Sequence, residues 1–342
     1  MKKYVDRRFM ALIVAFFMLL ALFALNMFYG TVDIPSADVL SILSGGECER
    51  EAWRLIVLET RLPQAVTALF AGAAISVAGL LLQTLFGNPL AGPEVLGINS
   101  GAGLGVAVVM LLSHGLLAVS EMGLAGYTAL LLGAFAGAGA IIVVILFLSS
   151  VLKNKLYLLI AGVAVSYLAS SAISVLNYFA TSEGVHSYMI WGMGSFSAVS
   201  YAQMPIFVTI VAVVLLFALA LMKPLNALLL GDAYARNLGV NVKGVRAAVL
   251  AVTGVLAAVV TAFCGPVAFI GLAVPHIARL FLKSNNHRLL LPGTMITGAA
   301  VALLCNIICQ LPGESGLLPL GAITPLIGAP VIIYVVLRSK GV

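Results

Sequence analysis

Charge is what this sequence has least of. Only 9% of its 342 residues are Asp, Glu, Lys or Arg, where a soluble domain uses about 25%. So few charges cannot cover a water-facing surface, and lipid must be the main solvent. Intrinsic disorder is excluded as well, because 62% of the residues are hydrophobic and disordered chains are poor in apolar side chains. Cysteine is scarce. Cys48, Cys264, Cys305 and Cys309 contain no C-x-x-C pair, and no disulfide framework or metal site is read from them. Cys305 and Cys309 lie four apart and share a helix face as small apolar residues. No G-x-x-x-x-G-K-[ST] phosphate loop occurs, so the chain has no ATPase site of that kind. No catalytic residue and no bound cofactor are assigned to it.

What the sequence has is length without charge. Uncharged runs such as 63–93, 122–152, 184–222 and 247–278 exceed the roughly 20 residues of one helical crossing, and several must hold more than one element. Only helices satisfy their own backbone in lipid. The expected fold is therefore all-α and polytopic. Ten spans fall near 9–29, 63–83, 95–113, 124–150, 156–180, 203–222, 246–264, 268–282, 289–309 and 320–337. Pro275 interrupts the eighth. The first follows Lys2, Lys3, Arg7 and Arg8, is too long for a signal-peptide core, and lacks a cleavage site, so it reads as an uncleaved helix.

With the N-terminus in the cytoplasm, alternation places every Lys and Arg on the cytoplasmic side except Arg50, Arg54 and Arg61. The positive-inside rule is met, and both termini are expected inside a bacterial inner membrane. Nine of the 12 acidic residues fall outside, among them Glu121 and Glu314. The chain is one transmembrane domain, 1–342, with an outer segment 30–62 carrying a short surface helix and a cytoplasmic segment 223–246. A second outer stretch, Tyr188 to Gln203 with Trp191, reads as a partial helix. Gly101-x-x-x-Gly105 and Gly133-x-x-x-Gly137 put small residues on single helix faces, which permits close approach of helices.

No Asp, Glu, Lys or Arg stands deep in any expected span, whereas ion-coupled transporters hold their ion on such a residue. His114, His186 and His276 fall near span ends, and His287 in a cytoplasmic loop. A secondary transporter driven by an ion gradient is the rival reading, and a non-transporting scaffold a third.

Three segments depart from ordinary membrane helices. Arg61-Leu62-Pro63 leads through the second span into Asn88-Pro89-Leu90-Ala91-Gly92-Pro93-Glu94-Val95-Leu96-Gly97. Gly231-Asp232-Ala233-Tyr234-Ala235-Arg236-Asn237-Leu238-Gly239 lies between spans six and seven. Within it Ala233 to Leu238 reads as one or two helical turns closed by Gly239, with Asp232 and Arg236 able to pair at i,i+4 or to meet a partner's charges. Gly265-Pro266-Val267-Ala268-Phe269-Ile270-Gly271-Leu272 runs on to Val274-Pro275-His276-Ile277-Ala278-Arg279. On these motifs the chain resembles the FecCD-type permeases for iron chelates, haem and vitamin B12, from about Arg61 to Leu337.

The resemblance implies the type II ABC importer permease fold, with ten helices per subunit. It also implies a second permease subunit, identical or related, a pair of cytoplasmic ABC ATPases that bind ATP and Mg, and an outer substrate-binding protein, periplasmic or lipid-anchored. The cargo is a metal chelate, with ferric siderophore or haem ahead of cobalamin, and no nucleic acid is involved. Gly231, Asp232, Ala235, Arg236, Leu238 and Gly239 would couple to the ATPase, Ala235 and Leu238 giving the apolar contact. Arg61 would meet the binding protein, or else anchor its helix as a snorkelling cation. Gln64 and Gln310 stand where the family can carry bases, and so leave hydrogen bonding there. Asn88 and Pro89 belong to an irregular turn that serves structure or gating. Ser166, Ser170, Ser174 and Asn177 share one face of the fifth span, as helix glue or as lining of the translocation pathway.

Overall fold

A computed structural model describes residues 2–112, 124–152, 154–313 and 316–339. His114, Glu121, Lys153, Glu314 and Lys340 lie outside the described residues. Among the described residues every regular element is helical. Helices α1 (Lys2–Phe28), α4 (Leu62–Phe86), α5 (Ile98–Leu112), α6 (Leu124–Val151), α7 (Lys155–Phe179), α9 (Met204–Ala220), α12 (Val242–Cys264), α13 (Ile270–Leu282), α14 (His287–Cys309) and α15 (Leu320–Ser339) stand at the ten expected positions. Among the described residues, length and composition alone qualify six stretches for a crossing, or seven when α9 and the short α10 (Met222–Leu228), bent by 51°, count as one. Helices α5, α13 and α15 are apolar but short, so ten is an approximate count of spans.

Short elements fill the connections. Helix α2 (Ser36–Leu43) is the surface helix of the outer segment. Helix α3 (Glu51–Leu55) passes through a wider π-type turn, Ile56–Arg61, straight into α4. The second span is therefore the end of one continuous helical run that starts a dozen residues before Pro63, because nothing in 51–62 breaks a helix. Helix α8 (Ser182–Gly192) is the partial helix around Trp191, displaced toward the N-terminal side of its expected place. Its Tyr188 ring lies 5.9 Å from Trp191, and burial pushes the phenol above its ordinary pKa. Helix α11 (Asp232–Asn237) occupies the segment between spans six and seven.

The layers follow from how much of each helix is apolar all round. Within their apolar stretches, α4 is 83% buried, α12 72% and α14 61%, against 11% for α1, 22% for α6 and 17% for α7. An inner group thus packs on itself while α1, α6 and α7 face outward. Glycine sets how close the inner helices come. A Cβ at Gly79 would overlap the backbone of Gly271, and one at Gly72 that of Gly298. The two Gly-x-x-x-Gly faces noted in the sequence meet each other: Gly101 lies on Gly137 and Gly105 on Gly133, with α5 and α6 antiparallel. Close backbone contact replaces the hydrophobic drive that lipid removes.

The Gly105 contact is testable. Gly105→Val should destabilise the protein by about 1–3 kcal/mol, since α6 would have to move. Gly139→Ala, on the same helix pair with nothing within 4 Å of a Cβ, should leave the melting temperature in detergent unchanged or slightly raised.

Candidate functional site

The basic side chains Lys155, Arg236, Lys243 and Arg246 gather at one end of the bundle, where Arg8 also donates to the Lys283 carbonyl at 3.0 Å. Helix α11 stands at this end. Gly231 enters it at φ 96° and Gly239 closes it at φ 81°, a left-handed conformation that glycine alone adopts without strain. Gly239 N donates to Arg236 O at 2.9 Å and Val240 N to Ala235 O at 3.0 Å, the paired bonds of a Schellman stop. Ala235 is fully buried, and faces into the protein. Tyr234 and Leu238 are 51% and 58% exposed.

Two sequence expectations are corrected here. Asp232 does not pair with Arg236. Its carboxylate accepts from Lys155 Nζ at 2.8 Å, with Arg246 Nη2 at 3.9 Å, because α7 and α12 bring their first turns against α11. Ala235 cannot offer a partner its methyl, since packing has turned it inward. The exposed apolar pair is Tyr234 with Leu238, and Tyr234 was not singled out in the sequence, although its i,i+4 spacing from Leu238 carried the signal.

The segment between α4 and α5 is irregular, as its prolines and glycines require, and its polar groups are used internally. Asn88 Oδ1 accepts from Leu90 N at 2.9 Å. The Pro89 carbonyl meets His276 Nε2 at 2.9 Å. Glu94 Oε1 accepts from Phe269 N at 3.3 Å, just before α13, and Gly271 beside it packs on Ile75 and Gly79 of α4. Glu94 thus sits inside the bundle, at the level of the middle of α4. Glu94 was expected, with Asn88, to supply hydrogen bonds to irregular backbone, but it belongs to no span and its depth was not legible: the chain folds back between two spans. On the same face, Gln83 Nε2 donates to Leu272 O at 3.1 Å, and Gln83 Oε1 accepts from Arg279 Nη1 at 2.7 Å. His287, read as a loop residue, is buried with Nε2 2.9 Å from Thr84 Oγ1 and Nδ1 3.0 Å from Asn226 Oδ1.

At the opposite end, Arg61 is 4% exposed. Its guanidinium donates to the carbonyls of Met27 at 2.8 Å, Phe28 at 3.0 Å, and Val32, closing the end of α1. Gln64 and Gln310 are also buried. Gln310 Nε2 reaches Gln64 Oε1 at 3.4 Å, Gln64 Nε2 donates to Asn306 Oδ1 at 3.0 Å, and Asn306 Nδ2 to Asn26 Oδ1 at 2.7 Å. These three residues therefore turn inward to join α1, α4 and α14 and do not present a docking surface. Burying the amides without these bonds would be costly. In the α7 stripe, Ser166 donates to Gly162 O at 2.9 Å and packs on Gly97, while Ser170 and Ser174 are exposed on a bare helix face beside Tyr167 and Tyr178.

This combination, a glycine-packed helical bundle with folded-back breaks and a short amphipathic helix held at its basic end, defines a multi-pass membrane transport subunit. The family model of the FecCD transport family matches residues 18–338. The vitamin B12 import system permease protein BtuC of Escherichia coli is 36% identical over 298 residues, 87% of this chain and 88% of that protein. Its counterpart in Salmonella paratyphi A is 36% identical over 309 residues, 89% and 92% of the two chains. A solved structure described as a metal-chelate type ABC transporter, in an inward-facing conformation, superposes with TM-score 0.80 at 28% identity over 96% of this chain and 98% of that one. PsaBC from Streptococcus pneumoniae, at TM-score 0.51 and 16% identity over 86% and 94%, shares the fold. The chain belongs to the FecCD transport family.

Arg61→Met should lower unfolding stability by about 2–3 kcal/mol, since three carbonyls lose charge-assisted donors. Thermal unfolding of the purified chain measures it, and an unchanged melting temperature contradicts an internal clamp.

Proposed function

We propose that this chain is the membrane-spanning permease of an ATP-driven, binding-protein-dependent importer and passes a metal chelate toward its basic end. The observation that carries the reading is α11. It is fixed to the membrane domain through Ala235 and the Asp232–Lys155 ion pair, yet it offers Tyr234 and Leu238 to solvent. A short helix tied on one side and free on the other suits a lever for a second polypeptide. That polypeptide is an ABC ATPase, present as a pair, which binds ATP and Mg and does the hydrolysis. The positive-inside count puts this end, with both termini, in the cytoplasm of a bacterium.

The other partners are an outer substrate-binding protein and an identical second permease subunit. The exposed face of α7, with Ser170 and Ser174 among exposed aromatics and a half-buried Asn177 beside them, suits the lining of a pathway between the two copies. Ser and Asn hydroxyls and amides hold a chelate weakly, which fits alternating access: cargo is released when the ATPase shifts the equilibrium between outward and inward states. The names of the curated relatives bring cobalamin level with ferric siderophores and haem as cargo.

The test is reconstitution of the permease in vesicles with its ATPase and binding protein. Uptake of radiolabelled cobalamin, ferric siderophore and haem should require ATP, with one cargo preferred. Tyr234→Asp with Leu238→Asp should weaken ATPase association by about thirtyfold or more, the scale of an interface hot spot, and abolish ATP-driven uptake while leaving the melting temperature intact. Uptake that follows an ion gradient without the ATPase, or full ATPase binding by the double variant, overturns the reading.

A further inference from the structure

A cleft of about 750 Å³ opens beside α11, between the C-terminal turns of α6 and the first turns of α12. Its polar lining includes Ser149, Ser150, Asp232, Arg236, Lys243 and Arg246. Three cations face one carboxylate, and that carboxylate is already held by Lys155 at 2.8 Å. Among the described residues Arg236 and Lys243 have no acidic partner within ion-pair distance. The cleft is a concave, net-positive site with two serine hydroxyls, which is the chemistry that receives a phosphate.

We infer that this cleft holds the headgroup of an anionic phospholipid. Its position argues for a lipid. Directly above the cleft, α6 exposes Val143, Phe147 and Val151 at 67%, 65% and 61%. These stand four residues apart and form one outward apolar stripe. At 100° per residue, Ser150 lies on the flank of that stripe, so a phosphate at Ser150 continues naturally into acyl chains laid along Val143 and Phe147. Helical geometry also separates this site from the face proposed for the ATPase. Asp232 and Arg236 lie on the opposite side of α11 from Tyr234 and Leu238, so both faces can be occupied together. A lipid there braces the membrane side of the lever while the partner grips its other side. The site stands on charge and shape alone and does not depend on the ATPase reading.

The test uses the full chain in detergent, titrated with phosphatidylglycerol or phosphatidylcholine of the same acyl chains and read by native mass spectrometry. Phosphatidylglycerol should bind more tightly, by roughly fivefold for each unpaired cation. Lys243→Gln, a change at an exposed side chain that does not threaten folding, should lose about fivefold in that preference. Arg246→Lys should keep it, and Arg288→Gln, at the same end but outside the cleft, should leave it untouched. Equal affinity for the two lipids, an unaltered Lys243→Gln, or the same loss in Arg288→Gln overturns the inference. Displacement of the lipid by inorganic phosphate at equal concentration assigns the cleft to small anions instead. Weaker ATPase binding by Lys243→Gln with unchanged lipid affinity assigns it to the protein partner, and either result overturns the lipid site.

Discussion

Backbone that leaves the helix inside a bilayer must find its hydrogen bonds within the protein. Here the breaks in the chain satisfy one another. The fold-back at residues 88–97 lends Glu94 to Phe269 and the Pro89 carbonyl to His276. The break after α12 gives the Cys264 carbonyl to Ser195 N at 2.8 Å. The turn after α8 lends the Met193 carbonyl to Gly321 N at 2.8 Å, at the start of α15. Segments far apart in sequence thus close one polar seam through an otherwise apolar bundle. Glycine makes the seam reachable, since Gly79 and Gly271 let α4 and α13 touch at the backbone.

The same seam runs to the basic end. Gln83 links α13 to α4 through Leu272 and Arg279, and His287 links α14 to α4 and to Asn226 of α10. Helix α10 leads directly into α11. Hydrogen bonds thus tie the segment that precedes α11 to α4 and α14, two of the three most buried helices. Coupling of this sort needs two discrete arrangements of the linked elements.

Much of this was readable in the residues. The positions of the ten helices followed from charge-free runs, because hydrocarbon length and backbone satisfaction leave few options. Gly239 marked the end of α11, and Gly101, Gly105, Gly133 and Gly137 marked close helix contacts, because glycine's roles depend on its own geometry. What a polar side chain bonds to was a different matter. Asp232 had Arg236 one turn away, yet Lys155 reached it first. Arg61, Gln64 and Gln310 read as outer docking groups and turned inward.

The sequence by itself determined the solvent, the helices and their stops, since these depend on composition and on interactions within a few residues. Only the tertiary structure decided which face of each helix is covered and which distant partner each polar group meets. Glu94 with Phe269, and Arg61 with the end of α1, are joined across 175 and more than 25 residues. Such pairings are fixed by how whole helices pack, and no local pattern encodes them.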